Sequence, residues 1–270
     1  MPYPDRQQIL KKIYTRKRDS ILLGDDLAIR QLEYIERPHH KTAYVTLCRV
    51  PDPDAAVIYT YGGATPHHFH FDKNGNIKDH TDRYHQFTWE WMHHWLDQNV
   101  AVIIFDVPDY FKAYEHPWVS SFYRASDDRL NESLQLIDLV EQKFPTATIN
   151  WFGISYGAQD AANISLHKTK LHKIVSASAT WHVLKDIDKY HQGARLDWYD
   201  VTKSTCPVLI VMHEKEVFKK AQEEMLKTQS ILVTNSVSAD AGHFFSKKEA
   251  EVITAMCDWY RDKPIPSLIK

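Results

Sequence analysis

A series of short, continuous apolar runs separated by stretches of helical periodicity is the feature that most narrows the folds open to this chain. The clearest run is Ala55-Ala56-Val57-Ile58-Tyr59-Thr60-Tyr61, which stops at Gly62-Gly63 and has the pattern of a strand buried on both faces. Similar runs follow at Val100–Phe105, Thr148–Ile154, Lys173–Ala179, Pro207–Met212 and Ile231–Ser238. Helical patterns fill the gaps. From Thr81 or Asp82 the residues Phe87, Trp91, Met92, Trp95 and Leu96 share one face. Ser126 reads as an N-cap, with Asp127 and Asp128 at the positive end of a helix whose apolar face is Leu130, Leu134, Ile137, Val140 and Phe144, and Pro145 stops it. A helix is expected from Ser155 to about His167. Ser246-Lys247-Lys248-Glu249 has the form of a capping box before a face of Val252, Ile253, Met256, Trp259 and Tyr260. Ahead of all this, Ile29–Glu36 and Ala43–Val50 alternate loosely around Pro38, as an antiparallel pair at a sheet edge would. Strands alternating with helices predict an α/β fold with a mostly parallel sheet flanked by helices.

The chain of 270 residues shows no repeat or linker that would divide it, so residues 1–270 are expected to form a single domain. Lys plus Arg (33) nearly balances Asp plus Glu (35), which gives no field that would recruit nucleic acid or an acidic membrane surface. A small molecule is the default partner, and the oligomeric state is open. The scattered Cys48, Cys206 and Cys257 suit free thiols in a reducing compartment. The basic N-terminal stretch lacks the apolar core of a secretory signal, and no run approaches the ~20 apolar residues of a membrane span. A cytoplasmic location is the expectation.

In open sheets of this class, sites form at the carboxyl ends of the strands. There the chain carries Gly62-Gly63-Ala64, then Gly153-Ile154-Ser155-Tyr156-Gly157, then His213-Glu214-Lys215-Glu216, then Asp240-Ala241-Gly242-His243. The second segment is Gly-x-Ser-x-Gly, the spacing of a nucleophile elbow, in which small neighbours let the backbone turn sharply from strand to helix. Of only 8 glycines in the chain, Gly62, Gly63, Gly153, Gly157 and Gly242 fall within these segments, a concentration that chance would not produce. Serine needs a histidine to take its proton and a carboxylate to orient that histidine. The order serine, acid, histidine supplies both.

These residues resemble those of the α/β-hydrolase superfamily, in its esterase-like branch with little or no cap, over most of the chain. The resemblance implies an eight-stranded, mostly parallel sheet and a serine hydrolase acting on a carboxylic ester without a cofactor. It implies Ser155 as nucleophile, His243 as base, and an acid in the turn after the strand ending at Met212. Family members commonly write that turn His-Gly-x-x-Asp; here Glu216 takes the acid position and His213 the glycine position, and Glu214 is a second candidate. The amides of Tyr156 and of Gly63 or Ala64 would form the oxyanion hole.

Two loops are expected to line the pocket. One carries His67 and His68, with a turn at Asn74-Gly75; the other runs from Asp106 to Ala125 and holds Tyr110, Phe111, Tyr114, Trp118, Phe122 and Tyr123. Trp181 follows a strand and joins them. Against this stands a rival reading, a metal-dependent hydrolase using His68, His70 and Asp72, which zinc chemistry disfavours because no converging downstream ligands are identifiable. A non-catalytic binding protein on the same fold is the third possibility. The segment 181–204 is too short for a large helical lid, which favours a modest ester over a bulky lipid.

Overall fold

A computed structural model describes residues 27–61, 70–71, 77–78, 92–108, 123–124, 126–155, 157–177, 204–212, 232–235 and 249–264. Strands β1 (Ile29–Glu36), β2 (Lys41–Cys48) and β3 (Ala55–Thr60) come first, followed by the two-residue strands β4 (His70–Phe71) and β5 (Ile77–Lys78). After helical residues at 92–97 come β6 (Ala101–Phe105), α1 (Asp127–Lys143), β7 (Thr148–Ile154), α2 (Gly157–Ser165), β8 (Lys173–Ala177), β9 (Val208–Met212), β10 (Leu232–Asn235) and α3 (Glu249–Tyr260).

The main sheet has eight strands in the order β1-β2-β6-β3-β7-β8-β9-β10, and β4 pairs with β5 apart from it. β1 and β2 are antiparallel, as is β2 with β6. Every pairing from β6 onward is parallel. This is the predicted mostly parallel sheet with an antiparallel edge. Its inner strands read as continuous apolar runs because both faces are covered, and β3 and β6 are buried at every position.

One face packs against residues 92–97 and α3, with Met92, Trp95, Leu96, Val252, Ile253, Met256 and Tyr260 in its core. The other packs against α1 and α2 through Leu130, Leu136, Ile137, Val140, Ala161 and Ile164. Leu136 is fully buried, whereas the expected Leu134 sits at the flank of that core. α1 begins as its sequence implies. Ser126 is extended (φ −80°, ψ 160°), and its Oγ accepts from the Arg129 amide at 3.2 Å, with Asp127 and Asp128 in the first turn. α2 is buried along its whole length, which its small residues Gly157, Ala158, Ala161 and Ala162 permit. Among the described residues, no helix is long and apolar enough to cross a membrane.

Candidate active site

Ser155 lies in the turn between β7 and α2 with φ 55°, a left-handed backbone rare for a residue with a side chain. Such a conformation costs roughly 1–3 kcal/mol and persists only where the surroundings over-determine it. They do so here. The Ser155 amide donates to the Ala177 carbonyl at 3.0 Å, and its own carbonyl accepts from the Ala158 amide at 3.1 Å. The flanking glycines answer to space. A Cβ on Gly153 would stand 2.3 Å from the Gly157 carbonyl oxygen, and one on Gly157 would stand 2.0 Å from the Thr60 carbonyl oxygen. Both obstacles are backbone, so neither can swing aside.

Thr60 fastens the end of β3 to this turn. Its Oγ1 donates to the Gly157 carbonyl at 2.9 Å and accepts from Trp151 Nε1 at 3.0 Å. The serine turn and the strand end preceding Gly62-Gly63 are therefore one rigid unit, with Ser155 itself only 5 % exposed.

Beside the turn runs a buried charged network that sequence reasoning did not foresee. Asp160, in the first turn of α2, accepts from Arg129 through Nε at 3.1 Å and Nη2 at 3.0 Å, and from Arg124 Nη1. All three side chains are fully enclosed. Burial opposes the charge on Arg129, but the adjoining Asp160 carboxylate outweighs it and leaves the guanidinium above its ordinary pKa. Arg129 also donates to the Asp106 carbonyl at 2.7 Å and lies 3.6 Å from the Phe105 ring centroid. Asp106, just past β6, accepts through Oδ1 from the Tyr61 hydroxyl and from the Val107 amide at 2.7 Å. Glu132 accepts from Thr42 Oγ1 at 2.7 Å and the Tyr123 hydroxyl at 2.5 Å, and lies 2.9 Å from His40 Nε2. Tyr123, expected in an aromatic pocket wall, has its hydroxyl in this network. The available signal was position: Asp106 immediately follows a buried strand, and Asp160 sits five residues beyond Ser155 on a helix otherwise made of small and uncharged residues.

Topology brings together the strands after which the other expected site residues come. β3, β7, β8, β9 and β10 run parallel, so Gly63 and Ala64, Ser155, Trp181, Glu214 and Glu216, and His243 all follow strands that end at one edge of the sheet. Of that set only Ser155 is described. Tyr156, Gly63, Ala64, Glu214, Glu216, His243, His67, His68, Asp72, Trp118 and Trp181 lie outside the described residues, as do residues 181–203 of the segment expected to be too short for a large lid. Among the described residues, no group of three or more His, Cys, Asp or Glu side chains could hold a metal ion. Cys48, Cys206 and Cys257 are free, and burial raises their thiols, Cys206 to about 11 and Cys257 to about 12, so none offers a reactive thiolate near neutrality.

No family model and no curated protein matches the chain by sequence. Solved structures do match its fold. A cold-adapted esterase from an Arctic intertidal metagenomic library superposes with a TM-score of 0.58 at 9% identity, over 86% of this chain and 95% of that one. Dienelactone hydrolase from Anabaena variabilis gives 0.56 at 10% identity, over 88% and 99%. A serine hydrolase without a lid from Xanthomonas campestris gives 0.56 at 14% identity, over 87% and 95%.

Proposed function

We propose that this chain, which has the α/β-hydrolase fold, is a serine hydrolase that cleaves a small carboxylic ester through an acyl-enzyme, within a single domain. The observation that carries the reading is Ser155 held at φ 55° between two glycines where a Cβ would collide with backbone, at the carboxyl end of a central parallel strand. Strain of this kind, maintained at a serine, is a reason to look for chemistry there.

In this reading His243 removes the Ser155 proton as Oγ attacks the ester carbonyl carbon, then protonates the departing alkoxide. Water, deprotonated by the same histidine, releases the acid and restores the serine. Glu216 orients His243 and stabilises its cation, with Glu214 as the alternative. The amides of Tyr156 and of Gly63 or Ala64 receive the oxyanion; loss of one such donor costs about 10²–10³ in turnover. His67, His68, Trp118 and Trp181 contact the substrate. The chemistry draws only on side chains and backbone amides. Support comes from the esterases and serine hydrolases that share the fold.

A panel of p-nitrophenyl esters of graded acyl length, aromatic acyl groups included, tests the activity and reads the substrate class. Ser155→Ala should remove turnover while the protein stays folded; undiminished hydrolysis by that variant would sink the reading.

A further inference from the structure

Tyr61 immediately precedes Gly62-Gly63-Ala64, and it is gripped from two sides. Its hydroxyl donates to Asp106 Oδ1. That carboxylate is itself set by the Val107 amide at 2.7 Å. On the main chain, the Tyr61 carbonyl oxygen accepts from Arg124 Nη2 at 3.3 Å. The Arg124 guanidinium carbon lies 5.9 Å from the centroid of the Tyr61 ring, and its Nη1 binds Asp160 of α2. The Arg124 backbone is secured in turn, since its carbonyl accepts from Asn163 Nδ2, also on α2, at 3.2 Å. Tyr61 is thus tied to the strand end at Asp106 and, through Arg124, to the helix that carries the serine turn. All of these side chains are buried.

The β3–β7 ladder and the Thr60 hydroxyl fix the strand as far as Thr60, and beyond it the course of the chain depends on what holds Tyr61. Hydrogen bonds to buried charged groups are directional and among the stronger ones available. We propose that Tyr61 is a positioning residue for the reaction at Ser155: held at its hydroxyl by Asp106 and at its carbonyl by Arg124, it fixes the end of β3 from which the chain continues to Gly63 and Ala64, whose amides the proposed function assigns to the oxyanion. This rests on the assignment of Ser155 as nucleophile. Misplacing a group by about 1 Å can cost on the order of 10²-fold in rate. A donor that is displaced but not lost predicts a smaller fall.

The test uses the full chain and Tyr61→Phe, which keeps the ring and backbone and deletes the bond to Asp106. The rate at which a fluorophosphonate modifies Ser155, read by mass spectrometry, is compared between wild type and variant, together with kcat and KM on p-nitrophenyl acetate. Hydrogen exchange at the amides of Gly62, Gly63 and Ala64 reports the segment directly. The variant is expected to label and turn over about 10- to 100-fold more slowly, with KM within twofold and faster exchange at those amides. Wild-type labelling with an equal rate in the folded variant overturns the positioning role and leaves the serine assignment standing. A wild-type protein that is not modified at Ser155 overturns that assignment and this proposal with it. Should Tyr61→Phe fail to fold, Asp106→Asn weakens the same bond, and it is expected to reproduce the slower labelling at unchanged KM; full-rate labelling by that variant also overturns the proposal.

Discussion

The two faces of the sheet are held by different physics. On the face covered by residues 92–97 and α3 the core is almost wholly apolar, with Tyr59 stacked on Phe152 (centroids 5.4 Å, planes at 24°) and Trp95 edge-on to Phe152 at 5.1 Å. On the face covered by α1 and α2, an apolar layer of Leu136, Ile137, Val140, Trp151 and Ile164 gives way, toward the serine turn, to the cluster of Arg124, Arg129, Asp160, Asp106 and Glu132. Apolar packing supplies stability without direction. Buried ion pairs often add little net stability over apolar replacements of equal volume, yet they are costly to break singly. Their location beside Ser155 and Tyr61 fits a role in fixing geometry, whereas the aromatic face supplies bulk burial.

That contrast can be broken most forcefully at Arg129. Arg129→Met would leave Glu132, 3.6 Å from Arg129 Nη1, and much of Asp160 without that cation in a dry setting, and a loss of about 3–5 kcal/mol is expected from denaturant unfolding. The comparable apolar deletion, Leu96→Ala on the opposite face, should cost about 2–5 kcal/mol through lost burial and a residual cavity. The informative difference lies in function: Leu96→Ala should lower the melting temperature while leaving kcat near wild type, and Arg129→Met should lower both. Equal kcat in the two variants would erase the distinction between the faces.

The smallest effect belongs to the rim. The Asp54 carboxylate receives a two-point contact from Arg261, Nε at 3.0 Å and Nη2 at 2.9 Å, which holds its pKa below the ordinary 3.8. A lowered folded-state pKa means stabilisation present above the ordinary value and lost as pH falls through the folded one. Because the Asp54 side chain is 64% exposed, solvent screening limits the pair to under about 1 kcal/mol. Asp54→Asn should therefore lower the melting temperature slightly at pH 7, and the gap to wild type should narrow as pH falls below the ordinary 3.8 and vanish once the folded-state carboxyl is protonated.

The strands were legible because continuous β-branched runs have few alternatives between glycines and helical stretches. Helix α1 was legible from its Ser126 cap, and the serine turn from glycine spacing; the 2.0 Å and 2.3 Å approaches at Gly157 and Gly153 explain why that spacing carried information. The charged network was not legible. No sequence signal sets Arg129 and Glu132 apart from the other polar residues of an amphipathic helix, and their partners lie far off in sequence: Asp160 is 31 residues from Arg129, and Thr42 is 90 from Glu132. Nothing local marks such pairs. Leu134 lies on the expected face but at its flank, and Leu136 fills the centre, because periodicity locates an apolar face more sharply than it ranks the residues within it.

Covalent modification of Ser155 tests the central claim most directly. After exposure of the intact protein to a fluorophosphonate, peptide mass spectrometry should find a single adduct on Ser155, formed at a rate that falls sharply in His243→Ala. No adduct at Ser155, or labelling at full rate without His243, would contradict a histidine-activated serine at the end of β7.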